Sequence, residues 1–104
     1  MTVSEISKRT GATVHYDSGK ETTGFYAGDF LSRVMGKAPS ESCWLTVMNN
    51  VNVAGVATLA DIKAVVLCEG VTPDARLKEK CTDEGISLLT TDMSVFDAIV
   101  ALSR

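Results

Sequence analysis

The sequence predicts an α/β fold: a small, mostly parallel sheet with helices on its faces, built from β-α repeats in a single domain. From about residue 43 onward, short apolar runs alternate with amphipathic segments of helical length, in the order β-α-β-α-β-α. The connections between them are short, which favours parallel strands joined by right-handed helical crossovers. A chain of 104 residues has room for one hydrophobic core.

The first part of the chain begins with a predicted helix. Thr2 and Glu5 have the spacing of a capping box, and Gly11 stands where such a helix would end. A half-exposed strand over residues 12–16 follows, then turn residues, then a second extended segment over 22–27.

A second helix is predicted after this segment, with Asp29 as its N-cap. Its apolar residues recur at the spacing of a buried helical stripe, and Pro39 closes the segment. The stripe consists of Leu31, Val34, Met35 and Ala38.

The second part of the chain contains three predicted buried strands, over residues 43–48, 62–68 and 86–89. A helix follows each strand. The first has the buried stripe Val53, Val56, Ala57 and Ala60 and can be capped by the preceding asparagines. The second begins at Thr72-Pro73-Asp74, with Thr72 as the cap. The third is capped within Thr90-Thr91-Asp92 and turns Phe96, Ile99 and Val100 inward.

Composition and charge exclude several classes of protein. The net charge is −3 and the ten basic residues are scattered, which argues against nucleic-acid binding. No apolar run approaches the ~20 residues that span a bilayer, and residues 1–9 lack the apolar stretch of a signal peptide. We therefore expect a cytoplasmic protein with no membrane association. The three cysteines lack paired spacing and are expected to be buried and free.

Motifs for catalysis, metal binding and cofactor binding are absent from the sequence. There is no GxSxG, HExxH, P-loop or dinucleotide fingerprint, and the one histidine, His15, is expected to be a surface residue of a strand. We expect neither a catalytic residue nor a metal site nor a cofactor, and the protein is predicted not to be an enzyme.

Polar residues follow the predicted strands at the edge where ligands of open parallel sheets bind. The predicted ligand-binding residues are Gly28, Asp29, Asn49, Asn50, Asn52, Glu69, Gly70, Thr91 and Asp92. Capping alone would also account for many of them. Three asparagines within four residues exceed what one cap needs, however, and a carboxylate directly after a buried strand is not a capping device.

On these residues, the chain resembles the DRTGG domain family over nearly its whole length, so that residues 1–104 are expected to form one DRTGG-like domain. The resemblance is carried by the early helix and by three segments, GFYAGDFLSRVM, WLTVMNNVNVAGVATLADIKAVVLCEGVTPD and GISLLTTDMSVFDAI. The family is related in shape to the N-terminal domain of HPr kinase/phosphorylase. The sequence departs from it where the naming motif would lie, with Asn49-Asn50 in place of Asp-Arg and Cys68-Glu69-Gly70 in place of Thr-Gly-Gly.

The resemblance implies a regulatory accessory domain that forms a homodimer. One hypothesis is a sensor that binds a nucleotide or other small anionic metabolite at the carboxyl ends of the strands. The alternative is an adaptor that binds a protein partner and no small molecule. A small enzyme is a third hypothesis, which requires that at least two of His15, Asp29, Glu69 and Asp92 come within hydrogen-bonding distance.

Overall fold

Five strands and five helices make up the computed structural model, which describes all residues 1–104. The strands are β1 (Thr13–Tyr16), β2 (Gly24–Ala27), β3 (Ser42–Thr46), β4 (Ala64–Leu67) and β5 (Ser87–Thr90). The helices are α1 (Val3–Thr10), α2 (Leu31–Lys37), α3 (Asn52–Leu59), α4 (Ala75–Glu84) and α5 (Val95–Leu102). The predicted buried strands coincide with β3, β4 and β5, with ends that differ by one or two residues.

The strands form one sheet with the order β1-β5-β4-β3-β2. Strands β2 to β5 are parallel, and they pair in chain order, β2 with β3, β3 with β4 and β4 with β5. Only β1 is antiparallel, and it pairs with β5 at the edge of the sheet. The predicted α/β fold with a mostly parallel sheet is therefore confirmed.

Both faces of the sheet are covered. On one face, α2, α3 and α4 pack against alternate residues of the strands, with Trp44 and Leu67 among those at the centre. On the opposite face, α1 and α5 cover the other residues of β3, β4 and β5, including Leu45 and Val66. Every residue of β3 and β4 is buried, which explains why these strands are continuous apolar runs in the sequence.

Local signals at the ends of helices were predicted with mixed success. The capping box of Thr2 and Glu5 is present, and Gly11 ends α1 in the left-handed conformation. The prediction for α2 was wrong: Phe30 holds the N-cap position without a side-chain bond, and Asp29 has other partners. A polar residue before a helix can bond to a neighbouring loop and not to the helix, and the sequence pattern does not distinguish the two cases.

The caps of α4 and α5 also differ from the prediction. Asp74, and not Thr72, caps α4 by accepting from the backbone N–H of Arg76. Ser94 caps α5, so neither Thr91 nor Asp92 is the cap of this helix. In α3, Val51 holds the N-cap position without a side-chain bond, and Asn50 lies one residue earlier, where its side chain accepts from the N–H of Asn52.

Two predicted core residues are exposed. Phe96 was predicted to face inward but is 73% exposed, because Ala98 and Leu102 are the residues of α5 that pack on the sheet. Met35 is likewise exposed, and Val34 alone of its helix is fully buried. The three cysteines are buried and free, as predicted.

The longest helix, α4, has 10 residues. None of the five helices combines the length and the apolar character needed to cross a membrane.

The central position of β4 leads to a prediction about stability. Leu67→Ala removes a fully buried side chain and should lower the free energy of unfolding by about 2–5 kcal/mol, measured by urea denaturation. The matched control is Leu59→Ala in α3, where the side chain is 74% exposed and the loss should stay below about 0.5 kcal/mol. Equal losses in the two variants would contradict the assignment of the core.

Candidate functional site: a cleft between the ends of β4 and β5

The chain leaves β4 and β5 toward opposite faces of the sheet. After β4 it enters α4, which packs with α2 and α3, whereas after β5 it enters α5 on the other face. Loops that diverge in this way leave a crevice beyond the carboxyl ends of the two strands, and open α/β sheets bind ligands at such points.

A cleft of about 200 Å³ occupies this position. Its walls come from three parts of the chain that lie far apart in sequence. They are the β4–α4 loop at residues 70–73, the end of β5 at residues 90–92, and the start of β1 with Gly11, Thr13 and His15. Four of the ten lining residues are threonines, and Val71 and Pro73 are the apolar side chains.

The β4–α4 loop is anchored to the loop after β5 by its backbone. Glu69 and Gly70 both have positive φ, 63° and 72°, as in the tight turns that reverse a chain within two residues. The N–H of Glu69 donates to the carbonyl of Met93, and that of Gly70 donates to the carbonyl of Thr91. A Cβ atom at Gly70 would lie 3.2 Å from a carboxylate oxygen of Asp92. Glycine therefore allows both the turn and the approach of Asp92.

Asn49 supports the same loop from the other side. Its side-chain amide donates to the carbonyl of Thr72 at 2.8 Å, and its own carbonyl accepts from the N–H of Asp74. Asn49 does not line the cleft, but it fixes the position of Thr72 and Pro73, which do.

His15 lies across the cleft from this loop. Its Nε2 is 2.8 Å from the hydroxyl oxygen of Thr90, a residue 75 positions away along the chain. Burial, with a smaller contribution from the charge of Lys78, lowers the pKa of His15 from its usual 6.5. The imidazole is therefore neutral at pH 7.

The polar groups of the lining divide into those with partners in the chain and those without. The hydroxyl of Thr91 is buried and donates to the carbonyl of Thr10, so it serves the fold. The hydroxyls of Thr13 and Thr72 and the carboxylate of Asp92 line the cleft and make no hydrogen bond or ion pair within the chain. These three groups are available to a ligand.

The structure brings only some of the predicted binding residues together. Gly70, Thr91 and Asp92 line the cleft. Gly28 and Asp29 follow β2 at the far edge of the sheet, where the carbonyl of Gly28 accepts from the Trp44 indole and Asp29 accepts from the Thr46 hydroxyl at 2.6 Å.

The remaining predicted residues have structural explanations or point elsewhere. Asn49 and Asn50 make contacts within the loops, and Asn52 is the exposed first residue of α3. Glu69 is exposed and contributes its backbone to the turn, while its side chain lies outside the cleft lining.

Sequence reasoning missed the part of the site that β1 supplies. Gly11, Thr13 and His15 reach the cleft because β1 pairs with β5 in the register that places Thr13 beside Thr90. The alternating pattern of β1 predicted a half-exposed strand, and nothing in it indicated which strand would be its neighbour.

The residues considered for the enzyme hypothesis do not form a catalytic group. No two of His15, Asp29, Glu69 and Asp92 are hydrogen-bonded to each other. Burial, the largest cause, raises the pKa of Cys43 to about 12 and that of Cys68 to about 11, so both thiols are protonated at neutral pH. No group of three or more His, Cys, Asp and Glu residues is arranged to hold a metal ion.

Comparison with known proteins supports a DRTGG-like fold. No protein-family model and no curated protein matches the sequence. Among solved structures, the chain is similar to the CBS and DRTGG domains of the regulatory region of Clostridium perfringens pyrophosphatase, complexed with its activator diadenosine tetraphosphate. The TM-score is 0.80 at 12% sequence identity. The match covers 97% of this chain and 45% of the other, so this chain spans less than half of the length of that region.

The pKa of His15 can be measured without ambiguity, because it is the one histidine of the chain. An NMR titration of its ring proton should give a pKa below 6.5. Since the unfolded chain then binds the proton more readily, the stability that neutral His15 contributes is present above pH 6.5 and is lost as the pH falls below it.

Two variants separate the effect of burial on the pKa of His15 from the effect of the Lys78 charge. Lys78→Met should raise the pKa of His15 part of the way toward 6.5, whereas Lys80→Met, two residues along the same helix and paired with Glu84, should leave it nearly unchanged. A pKa at or above 6.5 in the unaltered protein would show that the imidazole is not desolvated as described.

Proposed function

We propose that this chain is a non-catalytic regulatory domain that binds a nucleotide in the cleft between the ends of β4 and β5. The observation that carries the proposal is the position of the cleft. It lies where the chain diverges to opposite faces of a parallel sheet, and its lining includes three polar groups that have no partner in the fold.

The structural neighbour supports the regulatory part of the proposal. Its regulatory region binds the nucleotide activator diadenosine tetraphosphate, and this chain shares the fold of part of that region. That region also contains CBS domains, so the location of the site in this chain is argued from the cleft itself.

The chemistry of the cleft favours binding over catalysis. Its one histidine is bonded to a threonine hydroxyl and not to a carboxylate that would orient it as a base. Its one carboxylate, Asp92, is next to neither a nucleophilic thiol nor a second acid in the lining. These groups can hold a ligand by hydrogen bonds, and a ligand held in this way stabilises the folded state.

Nucleotide binding is tested by thermal unfolding with a panel that contains diadenosine tetraphosphate, ATP and AMP. A nucleotide present at ~100 times its Kd should stabilise the protein by about 2.7 kcal/mol. Because the proposal places the nucleotide against Gly70, Gly70→Ala should remove this stabilisation: the new Cβ would crowd Asp92 and strain the turn.

The control is Gly85→Ala in the turn before β5, at the opposite end of that strand from the cleft. Gly85 also has a left-handed backbone, with φ of 70°, and its nearest neighbour is the flexible end of Lys20. Both variants should lose on the order of 1–2 kcal/mol of stability, but only Gly70→Ala should lose the response to nucleotide. No stabilisation by any nucleotide of the panel would refute the proposed function.

A second candidate function, a protein-interaction module, is favoured by the surface of α5. Seven of its eight residues are apolar and Asp97 is its only charged residue, yet Phe96 is 73% exposed. A helix that is apolar on nearly all sides is usually covered. We propose that a second copy of the chain covers it, which would form a homodimer through α5.

The oligomeric state tests this candidate. Sedimentation velocity at increasing protein concentration should show a dimer, and Phe96→Ser should shift the equilibrium to the monomer. Phe30→Ser is the matched control, because Phe30 is 67% exposed but lies before α2. A protein that stays monomeric at all concentrations, or a dimer that Phe96→Ser leaves intact, would argue against association through α5.

A further inference from the structure

We infer that the part of the nucleotide held in the cleft is its ribose, with the Asp92 carboxylate accepting hydrogen bonds from the two neighbouring hydroxyls of the sugar. This inference rests on the proposed function, because it specifies how the same cleft recognises a nucleotide. It adds a preference for ribonucleotides over deoxyribonucleotides.

The charge of the lining argues against a phosphate inside the cleft. The cleft contains no Lys or Arg side chain, and its imidazole is neutral at pH 7. Asp92 is the only charged group, and it would repel a phosphate dianion placed beside it. The phosphates of a bound nucleotide must therefore lie outside the cleft. Lys78 of α4, whose charge acts on His15 and which makes no ion pair, is a cation on that side.

The polar groups that remain fit a sugar. A carboxylate can accept a hydrogen bond on each of its two oxygens, which suits the two donors of a vicinal diol. The hydroxyls of Thr13 and Thr72 can donate or accept, as sugar hydroxyls and the ring oxygen require. Carboxylates of α/β folds bind ribose hydroxyls by this same chemistry.

The size of the cleft agrees with this assignment. At ~30 Å³ per water molecule, 200 Å³ corresponds to about six or seven waters, which is the volume of a sugar ring and much less than that of a whole dinucleotide. Val71 and Pro73 are the only apolar side chains of the lining, too few to enclose a purine base, so the base as well as the phosphates would extend outside.

The test compares matched ligands that differ in one hydroxyl. Isothermal titration calorimetry is performed with ATP and 2′-deoxy-ATP, and NMR shift titration with ribose 5-phosphate and 2-deoxyribose 5-phosphate. The deoxy ligands should bind about tenfold more weakly, because they lose one hydrogen bond to a charged acceptor. Asp92→Asn should weaken the ribo ligands and bring the two affinities of each pair close together.

Asp97→Asn is the control, since it removes the same charge from the nearby α5, outside the cleft, and should leave the preference intact. Equal binding of ribo and deoxy ligands to the unaltered protein, lost in Gly70→Ala, would overturn this inference while leaving the proposed function in place. A failure of every ribo and deoxy ligand to bind would refute both.

Discussion

The architecture depends on one constraint, the burial of β3 and β4 on both faces. Every residue of these strands is inaccessible to solvent, so helices must cover both sides of a sheet that has only five strands. Successive crossovers of the same hand, each to the adjacent strand, place α2, α3 and α4 on one face. The opposite face then has to be covered by the ends of the chain, α1 and α5. The divergence of the chain after β4 and β5, and with it the cleft, follows from this requirement.

The fold class was predictable because the sequence pattern indicates which strands are buried on both faces. Continuous apolar runs at β3 and β4 indicate strands covered on two sides, and the stripes of α3 and α4 indicate helices that cover them. Helix ends were harder to assign because Asp, Asn and Thr bond as readily to a neighbouring loop as to a helix. Asp29 illustrates this: its carboxylate joins the ends of β2 and β3 through the Thr46 hydroxyl and does not cap α2.

The site was predictable only in part, and the reason is physical. Residues that follow parallel strands share an edge of the sheet by geometry alone, and Gly70, Thr91 and Asp92 were found on that ground. The contribution of β1 depends instead on a pairing between strands more than 70 residues apart, in a register that no local pattern encodes. Two of the three clustered asparagines, Asn49 and Asn50, bond to the loops and do not line the cleft. An excess of polar residues in the sequence therefore indicated residues that hold these loops in place as well as residues that line the cleft.

Similarity in fold at 12% identity leaves the two proteins free to differ in what they bind. The recess is formed by backbone features, which are the divergence after β4 and β5, the turn at Glu69-Gly70 and the antiparallel edge strand. Selectivity within the recess comes from the few side chains that the fold does not use. In this chain these are an unpaired carboxylate and two unpaired hydroxyls, which lie beside an imidazole bonded to Thr90. Asp92 and the two hydroxyls are therefore the groups through which we propose that this cleft selects its ligand, and the fold that holds them does not determine that choice.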